Sequence, residues 1–167
     1  MQRTELKKLI RQAIIDDLNE ISILAQKVRE DMLSHGLNQW IGNYPEYNDF
    51  YKDLKNNGLY VLEKDNEIIG SITILIENEK AYKEVIWNTS KALVVHRVIV
   101  NPKYQKKGFG KMLIDFSISK ALKEGFEAVK IDTHPDNLKM QRLLKSLDFS
   151  YRGYLTSINR LAFELVV

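Results

Sequence analysis

The hydrophobic positions of this chain recur at helical spacing in four stretches, and β-branched runs lie between these stretches. For the first half, the pattern predicts a strand at 8–13, helices at 18–32 and 47–54, and a hairpin of strands at 59–63 and 68–76. Asp16 or Asp17 can cap the first helix, and Asp17 followed by Glu20 has the spacing of a capping box. Residues 77–91 mix polar and aromatic groups, and we expect a loop with some strand there.

The second half contains the longest β-type run, at 92–100. The other predicted elements are a helix at 108–124, a strand at 128–133, a helix that begins near Asn137, and strands at 149–157 and 160–167. A continuously apolar run indicates a central strand with both faces covered. The order strand–helix–strand predicts one parallel pair, and the hairpins at both ends predict antiparallel pairs. We therefore expect a single domain over 1–167, with a mixed sheet and helices on both faces.

Composition limits the classes of function. The chain has 167 residues, of which 44% are hydrophobic and 28% charged, as in ordinary globular proteins. The net charge of +3 is too small to indicate a nucleic-acid-binding protein, and no stretch approaches the roughly 18 apolar residues of a membrane span. The chain has no cysteine, and its three histidines lack the spacing of a metal site. Because residues 1–8 contain no apolar signal core, we expect a cytoplasmic protein.

A basic loop at 101–111 follows the apolar run and leads directly into the next helix. It contains four lysines, two glycines and no acidic residue. A strand, a glycine loop and a helix N-terminus in this order are typical of a site for phosphate or pyrophosphate. The glycine spacing does not fit a P-loop, and Leu113 stands where a dinucleotide fingerprint requires its third glycine. The pattern Q/R-x-x-G-x-G/A, in contrast, is matched at every position of 105–110.

The chain resembles the GNAT superfamily of acetyl-CoA-dependent N-acetyltransferases, of the small bacterial type. The motifs that carry the resemblance are Val98-x-Val100-x-Pro102, Gln105-x-x-Gly108-x-Gly110, and Asn137 followed by Met140, Leu143, Leu144 and Phe149. The narrower likeness rests on Gln39-Trp40, Tyr44-Pro45, Tyr82, Trp87, His96-Arg97 and Asp132-Thr133-His134. The resemblance implies one α/β (α+β) domain with a mostly antiparallel sheet of six to seven strands. It also implies transfer of an acetyl group from acetyl-CoA to a primary amine, directly and in a ternary complex.

The resemblance further implies how acetyl-CoA would bind without a metal. Its pyrophosphate would lie at the glycine loop, and its pantetheine arm would enter a gap between the fourth and fifth strands. The implied cofactor-binding residues are Val98, Ile99, Val100, Gln105, Lys106, Lys107, Gly108, Phe109, Gly110, Lys111, Asn137 and Met140. The expected partner is a small-molecule or peptide amine, and since two-fold dimers are common in the family, a homodimer is left open.

The resemblance determines the catalytic residues less well. Leu144 and Asp148 stand where the family has a tyrosine acid and a glycine, so the departing thiolate would take its proton from water or from another tyrosine, with Tyr151 and Tyr154 as candidates. The candidate catalytic residues are His134 and Asp132, at the end of the fifth strand.

For the amine acceptor, the predicted contacts are Trp40, Tyr44 and His96. The first two belong to a loop that covers the acceptor site in the family, and His96 is in phase with Val98 and Val100 on the fourth strand. Two functions of other classes compete with the enzyme. One is a non-catalytic acyl-CoA-binding sensor, which Leu144 favours, and the other is a phosphate-binding nucleotide domain.

Overall fold

The computed structural model describes residues 9–167, which form seven β-strands and four α-helices. The strands are β1 (Ile10–Gln12), β2 (Leu59–Lys64), β3 (Glu67–Ile76), β4 (Ala92–Val100), β5 (Ala128–Thr133), β6 (Ser150–Leu155) and β7 (Arg160–Val166). The helices are α1 (Leu18–Ser34), α2 (Tyr47–Lys55), α3 (Phe109–Glu124) and α4 (Leu138–Ser146). The predicted elements thus occur in the predicted order. Lys8, where the first predicted strand begins, and the rest of 1–8 lie outside the described residues.

The seven strands of residues 9–167 form one sheet in the order β1-β2-β3-β4-β5-β7-β6. The neighbours β4 and β5 are parallel. All other neighbouring strands are antiparallel. The sheet is therefore mixed and mostly antiparallel, and β4 lies at its centre, as its continuous apolar run predicted.

Helices cover both faces of this sheet. Successive residues of β2 alternate between two cores, with Tyr60 and Leu62 in one and Leu59 and Val61 in the other. Because neighbouring residues of a strand point to opposite faces, the two cores lie on opposite sides of the sheet. The first core includes Leu113 and Ile114 of α3 and Leu144 of α4. The second includes Leu18 and Ile21 of α1 and Phe50 of α2. Within 9–167, no helix is long and apolar enough to cross a membrane.

The 77–91 segment contains no strand among the described residues, so that expectation was wrong. It forms a 3₁₀ turn at Lys80–Glu84, and its Tyr82 and Trp87 pack on the sheet beside β4, β6 and β7. Lys130 of β5, which is 1% exposed, donates from Nζ to Glu77 Oε2 at 2.8 Å and to the Thr89 carbonyl at 3.2 Å. The aromatic groups therefore cover the part of the sheet face on the α1 and α2 side that these two helices do not reach.

Asp17 does not cap α1 through its side chain, which corrects the predicted capping box. Its carboxylate turns back to accept from the Ile14 N–H at 2.8 Å. Arg11 of β1 donates to both carboxylate oxygens at 2.8 and 2.9 Å, and these bonds lower the pKa of Asp17. A bidentate arginine from another element has replaced the local cap, because charge-assisted bonds are the stronger ones.

Candidate active site

The parallel pairing of β4 and β5 ends halfway along β4. Its last pair is Val95 with Ile131. Beyond that point β5 continues beside β7 to Thr133, whereas β4 continues beside β3 to Val100. Among the described residues, the 96–100 half of β4 therefore has no strand beside it on the β5 side, and a gap opens between the two strands.

A β-bulge marks the start of this gap. Ser71 of β3 is opposite Ile99, but Thr73 is opposite His96, so β4 carries one extra residue. Arg97 lies in the bulge with a φ of +48°, a left-handed value that few residues other than glycine adopt. Such a bulge bends its strand and increases the local twist. The bend directs the second half of β4 away from β5.

Backbone groups of β4 face the gap. The Asn101 N–H donates to the Ile69 carbonyl of the neighbouring strand at 2.8 Å. Because N–H directions alternate along a strand, those of Val98 and Val100 point away from β3 and toward the gap. The side chain of Gln105 approaches the Val100 carbonyl from the same side, with Nε2 at 3.5 Å. The gap thus offers a polar edge to an extended ligand segment.

The 105–110 loop ends this edge with a helix N-terminus. Gly108 is the N-cap residue of α3, has a φ of +83° and brings no capping side chain. The first hydrogen bond of the helix runs from the Met112 N–H to the Gly108 carbonyl at 3.1 Å. The N–H groups that precede Met112 in α3 have no intrahelical partner, and Lys106 and Lys107 are exposed beside them. Free donors and cations together make the loop suitable for a pyrophosphate.

The two glycines of the loop differ in whether the fold of the free protein requires a glycine there. Gly108 needs its left-handed backbone, although a Cβ there would lie in open space. A Cβ at Gly110 would meet only Leu143 Cδ2 of α4 at 3.7 Å, which is an ordinary contact. The packing of the free protein therefore leaves room for a side chain at Gly110.

Two residues beside the gap carry hydrogen-bonding groups that a ligand arm can use. Thr133 lies two residues past the last β4–β5 pair and is 1% exposed, and its Oγ1 has no partner among residues 9–167. Asn137 caps α4 by accepting from the Met140 N–H at 3.0 Å, and its Nδ2 donates to Gln39 Oε1 at 2.8 Å. One amide hydrogen of Asn137 is left. Native proteins rarely leave such a hydroxyl unpaired, so Thr133 is a candidate for a contact with a bound ligand.

A cleft of about 480 Å³ lies at the other end of the gap. Its lining residues are Tyr44, Leu75, Ile76, Asn78, Glu79, His96, Arg97, Asp132, Ile158 and Arg160. Three residues predicted from the sequence, Tyr44, His96 and Asp132, are brought together here. Trp40 and His134 are not among the residues that line this cleft.

Trp40 and His134 have other surroundings. Trp40 is 6% exposed and packs in the core between the sheet and α1. His134 accepts from the Asp136 N–H through Nδ1 at 3.0 Å and stabilises the turn that precedes α4. Among the predicted catalytic residues, Asp132 is therefore the one that the fold brings into the cleft.

Asp132 is held from two sides. Tyr82 donates its hydroxyl to Asp132 Oδ2 at 2.8 Å, and Arg160 Nε lies 4.0 Å from Asp132 Oδ1. Burial raises the pKa of Asp132, while the Tyr82 hydrogen bond and the Arg160 charge oppose this rise. Arg160 is itself fixed by the Gln39 carbonyl at 2.7 Å. The carboxylate is thus ordered and faces the cleft.

A buried ion pair holds the cleft wall. Arg97 donates through Nε to Asp53 Oδ2 at 2.8 Å and through Nη1 to the Tyr44 hydroxyl at 2.8 Å. Thr73 donates to the same Asp53 oxygen at 2.7 Å. Burial, together with the charge of Arg97, lowers the pKa of His96 to about 4, so its imidazole is neutral near pH 7. Sequence reasoning missed Asp53 and Arg160, which belong to a helix and a strand far from any motif.

Leu144, at the family's tyrosine position, is fully buried in the core between the sheet and α3. Tyr151 and Tyr154 lie on β6 with exposures of 56% and 43% and do not line the cleft. Among the described residues that line the cleft, Tyr44 is therefore the one tyrosine.

Comparisons with known proteins concern the family and the fold. The model of the acetyltransferase (GNAT) family matches residues 22–149. A GNAT family acetyltransferase from Streptococcus agalactiae is similar, with a TM-score of 0.81, 24% identity and coverage of 95% of this chain and 94% of that one. One from Listeria monocytogenes has a TM-score of 0.80, 15% identity and coverage of 95% and 94%. The PaiA N-acetyltransferase from Thermoplasma acidophilum, solved in complex with coenzyme A, has a TM-score of 0.73, 15% identity and coverage of 95% and 98%.

No curated protein sequence matches this chain at a significant level. The family model nevertheless spans well over half of the chain, and the solved structures share its fold over 95% of its length. The chain therefore belongs to the acetyltransferase (GNAT) family.

Proposed function

We propose that this protein transfers the acetyl group of acetyl-CoA to a primary amine by direct transfer, with both substrates bound at once. The observation that carries the proposal is the course of β4 through the site. His96, at the start of its unpaired half, lines the cleft, and the carbonyl of Val100, at its end, lies 3.5 Å from Gln105 Nε2. One strand thus joins a cleft suited to an amine with a loop suited to a pyrophosphate.

The donor half of the site would be held by backbone groups and lysines. The N–H groups at the start of α3 would bind the pyrophosphate, with Lys106 and Lys107 neutralising nearby charge. When bound, acetyl-CoA would supply an acetyl group already activated as a thioester. The Val98 N–H faces the gap and would stabilise the negative charge that develops on the thioester oxygen.

The acceptor half would depend on Asp132. As the amine attacks, its nitrogen becomes acidic, and a nearby carboxylate can take up the proton. Asp132 faces the cleft and is ordered by Tyr82 and Arg160, as that role requires. Because Leu144 has no hydroxyl, the departing thiolate would be protonated by water. A cleft of about 480 Å³ has the size of a small-molecule site.

Two measurements test the proposal. Calorimetry with acetyl-CoA reports the donor half, and a thiol-release assay over a panel of primary amines reports turnover. We expect saturable binding of acetyl-CoA and release of coenzyme A with at least one small amine. Saturable binding of ATP without binding of coenzyme A would contradict the proposal and favour the nucleotide domain.

A charge placed in the loop tests the assignment of the pyrophosphate site. Gly110→Asp has room in the free protein, because only Leu143 lies near the new Cβ. It should weaken coenzyme A binding by about tenfold or more through like-charge repulsion. Gly108→Asp should act in the same direction but adds backbone strain at φ +83°. Ser119→Asp, exposed further along α3, is the matched control and should leave the affinity unchanged.

A non-catalytic acyl-CoA sensor is the second candidate function. The buried Leu144 favours it, since the hydroxyl that acts as acid in much of the family is absent at that position. Tight binding of acetyl-CoA with no turnover on any amine of the panel would support the sensor over the enzyme.

A further inference from the structure

Tyr82 stands out as a buried polar residue whose hydroxyl has one partner. It is 2% exposed and comes from the 3₁₀ turn that covers the sheet, outside the loop and the strands described above. Its ring packs on Trp87 with centroids 5.0 Å apart, and Trp87 Nε1 donates to the Tyr82 carbonyl at 2.6 Å. The ring is therefore fixed by packing, and the hydroxyl is directed at Asp132 Oδ2 at 2.8 Å.

Packing alone does not explain this tyrosine. A phenylalanine would fill the same space without the cost of burying a hydroxyl, a cost that only the bond to Asp132 offsets. The bond also leaves the two carboxylate oxygens unequal. Oδ2 is occupied by Tyr82, whereas within residues 9–167 Oδ1 accepts no hydrogen bond and has only Arg160 Nε at 4.0 Å. Oδ1 is thus the oxygen that can receive a proton from the cleft.

We propose that Tyr82 is a positioning residue, which occupies Oδ2 of Asp132 and presents its Oδ1 to the attacking amine. The inference rests on the proposed acetyltransferase function. Among the charged and titratable groups around Asp132, Tyr82 and Arg160 favour its ionised form, whereas Glu79 opposes it. His96 and Arg97 lie across the cleft. Burial raises the pKa of Tyr82 well above its usual value, so the phenol keeps the proton that it donates to Asp132 Oδ2.

The proton balance of the step follows from this arrangement. The amine nitrogen forms a bond to the acetyl carbon, and the bond from that carbon to sulfur breaks with its electron pair on sulfur. The nitrogen loses one proton to Asp132 Oδ1, and sulfur gains one from water. Asp132 then returns its proton to solvent, while the Tyr82 hydroxyl stays bonded to Oδ2 throughout.

The test is Tyr82→Phe, which keeps the ring and removes the hydroxyl. Loss of a hydrogen bond to the charged form should raise the titration midpoint of Asp132 by about one pH unit, as followed by carboxyl carbon NMR on the ligand-free protein. The acidic limb of the profile of kcat/KM against pH should shift to higher pH by the same amount. The KM for acetyl-CoA should not change, because Tyr82 lies outside the loop and the gap.

Tyr104→Phe is the matched control, since Tyr104 also donates its hydroxyl to a carboxylate, Glu67 Oε2 at 3.3 Å. It should leave both the Asp132 midpoint and the acidic limb where they are. In an Asp132→Asn background, Tyr82→Phe should cause no further loss of turnover, because its effect passes through that carboxylate. If Tyr82→Phe does not fold, Asp132→Asn alone keeps the inference testable, because it removes the proposed proton acceptor and should abolish the acidic limb.

The possible failures are distinguishable. A Tyr82→Phe enzyme with an unmoved midpoint and only a lower Tm would show that the residue merely packs, and the inference would be overturned while the acetyltransferase stands. An acidic limb that is retained in Asp132→Asn would overturn it as well, because Asp132 would then not be the group that takes up the proton. A wild-type protein that acetylates no amine would overturn both the proposed function and the role of Tyr82.

Discussion

Replacing Thr133 with valine should stabilise the free protein and weaken its binding of coenzyme A. Thr133 is 1% exposed, and among residues 9–167 its Oγ1 has no hydrogen-bond partner. Valine has nearly the same shape and exchanges the hydroxyl for a methyl group. The substitution therefore removes an unpaired polar group from the core at the point where β4 and β5 separate.

The magnitude follows from the cost of an unpaired group. A buried hydroxyl without a partner costs about 1–3 kcal/mol, so Thr133→Val should gain about 1 kcal/mol and raise the Tm by about 2–4 °C. A neutral hydrogen bond to the bound ligand contributes about 0.5–1.5 kcal/mol, so coenzyme A should bind about two- to tenfold more weakly. Urea unfolding measures the first effect and calorimetry the second.

Thr73→Val is the matched control for this experiment. Thr73 is equally buried, but its hydroxyl donates to Asp53 Oδ2 at 2.7 Å, and the loss of a bond to a charged group should destabilise the protein by about 1.5–3 kcal/mol. A destabilised Thr133→Val would mean that its hydroxyl is already paired in the free protein. A stabilised variant with unchanged coenzyme A affinity would remove Thr133 from the donor site.

Two further predictions concern the cleft wall. Asp53→Asn breaks the buried pair with Arg97 and should lower the free energy of unfolding in urea by about 3–5 kcal/mol. The control Asp16→Asn, at an exposed position, should change it by no more than about 0.5 kcal/mol. Equal losses of stability in the two variants would argue against the pair. The pKa of His96 is about 4 in the folded protein and near 6.5 when unfolded, so only the unfolded chain takes up the proton as pH falls between these values. Stability should therefore drop over this range, and His96→Gln should reduce the drop in Tm between pH 7 and pH 5; an unchanged drop would show that other groups cause it.

The local parts of the fold were predictable because they depend on short-range spacing. The apolar run at 92–100 and the helix predicted at 108–124 correspond closely to β4 and α3. Errors arose where distant residues compete for a group. Asp17 is bound by Arg11 instead of capping α1, and the aromatic residues of 77–91 pack on a sheet face that no local pattern indicates.

The candidate site likewise has one half that depends on neighbouring residues in the sequence and one that depends on distant residues. The sequence by itself predicted the loop that we propose for the donor, because a glycine loop between a strand and a helix places its N–H donors within a few consecutive residues. Only the tertiary structure decided the acceptor half. Tyr44, Asp53, Arg97, Asp132 and Arg160 come from five separate elements and meet only when the sheet forms. The same assembly buries Trp40 and turns His134 to the α4 turn, because burial and hydrogen bonding depend on neighbours that linear spacing does not specify.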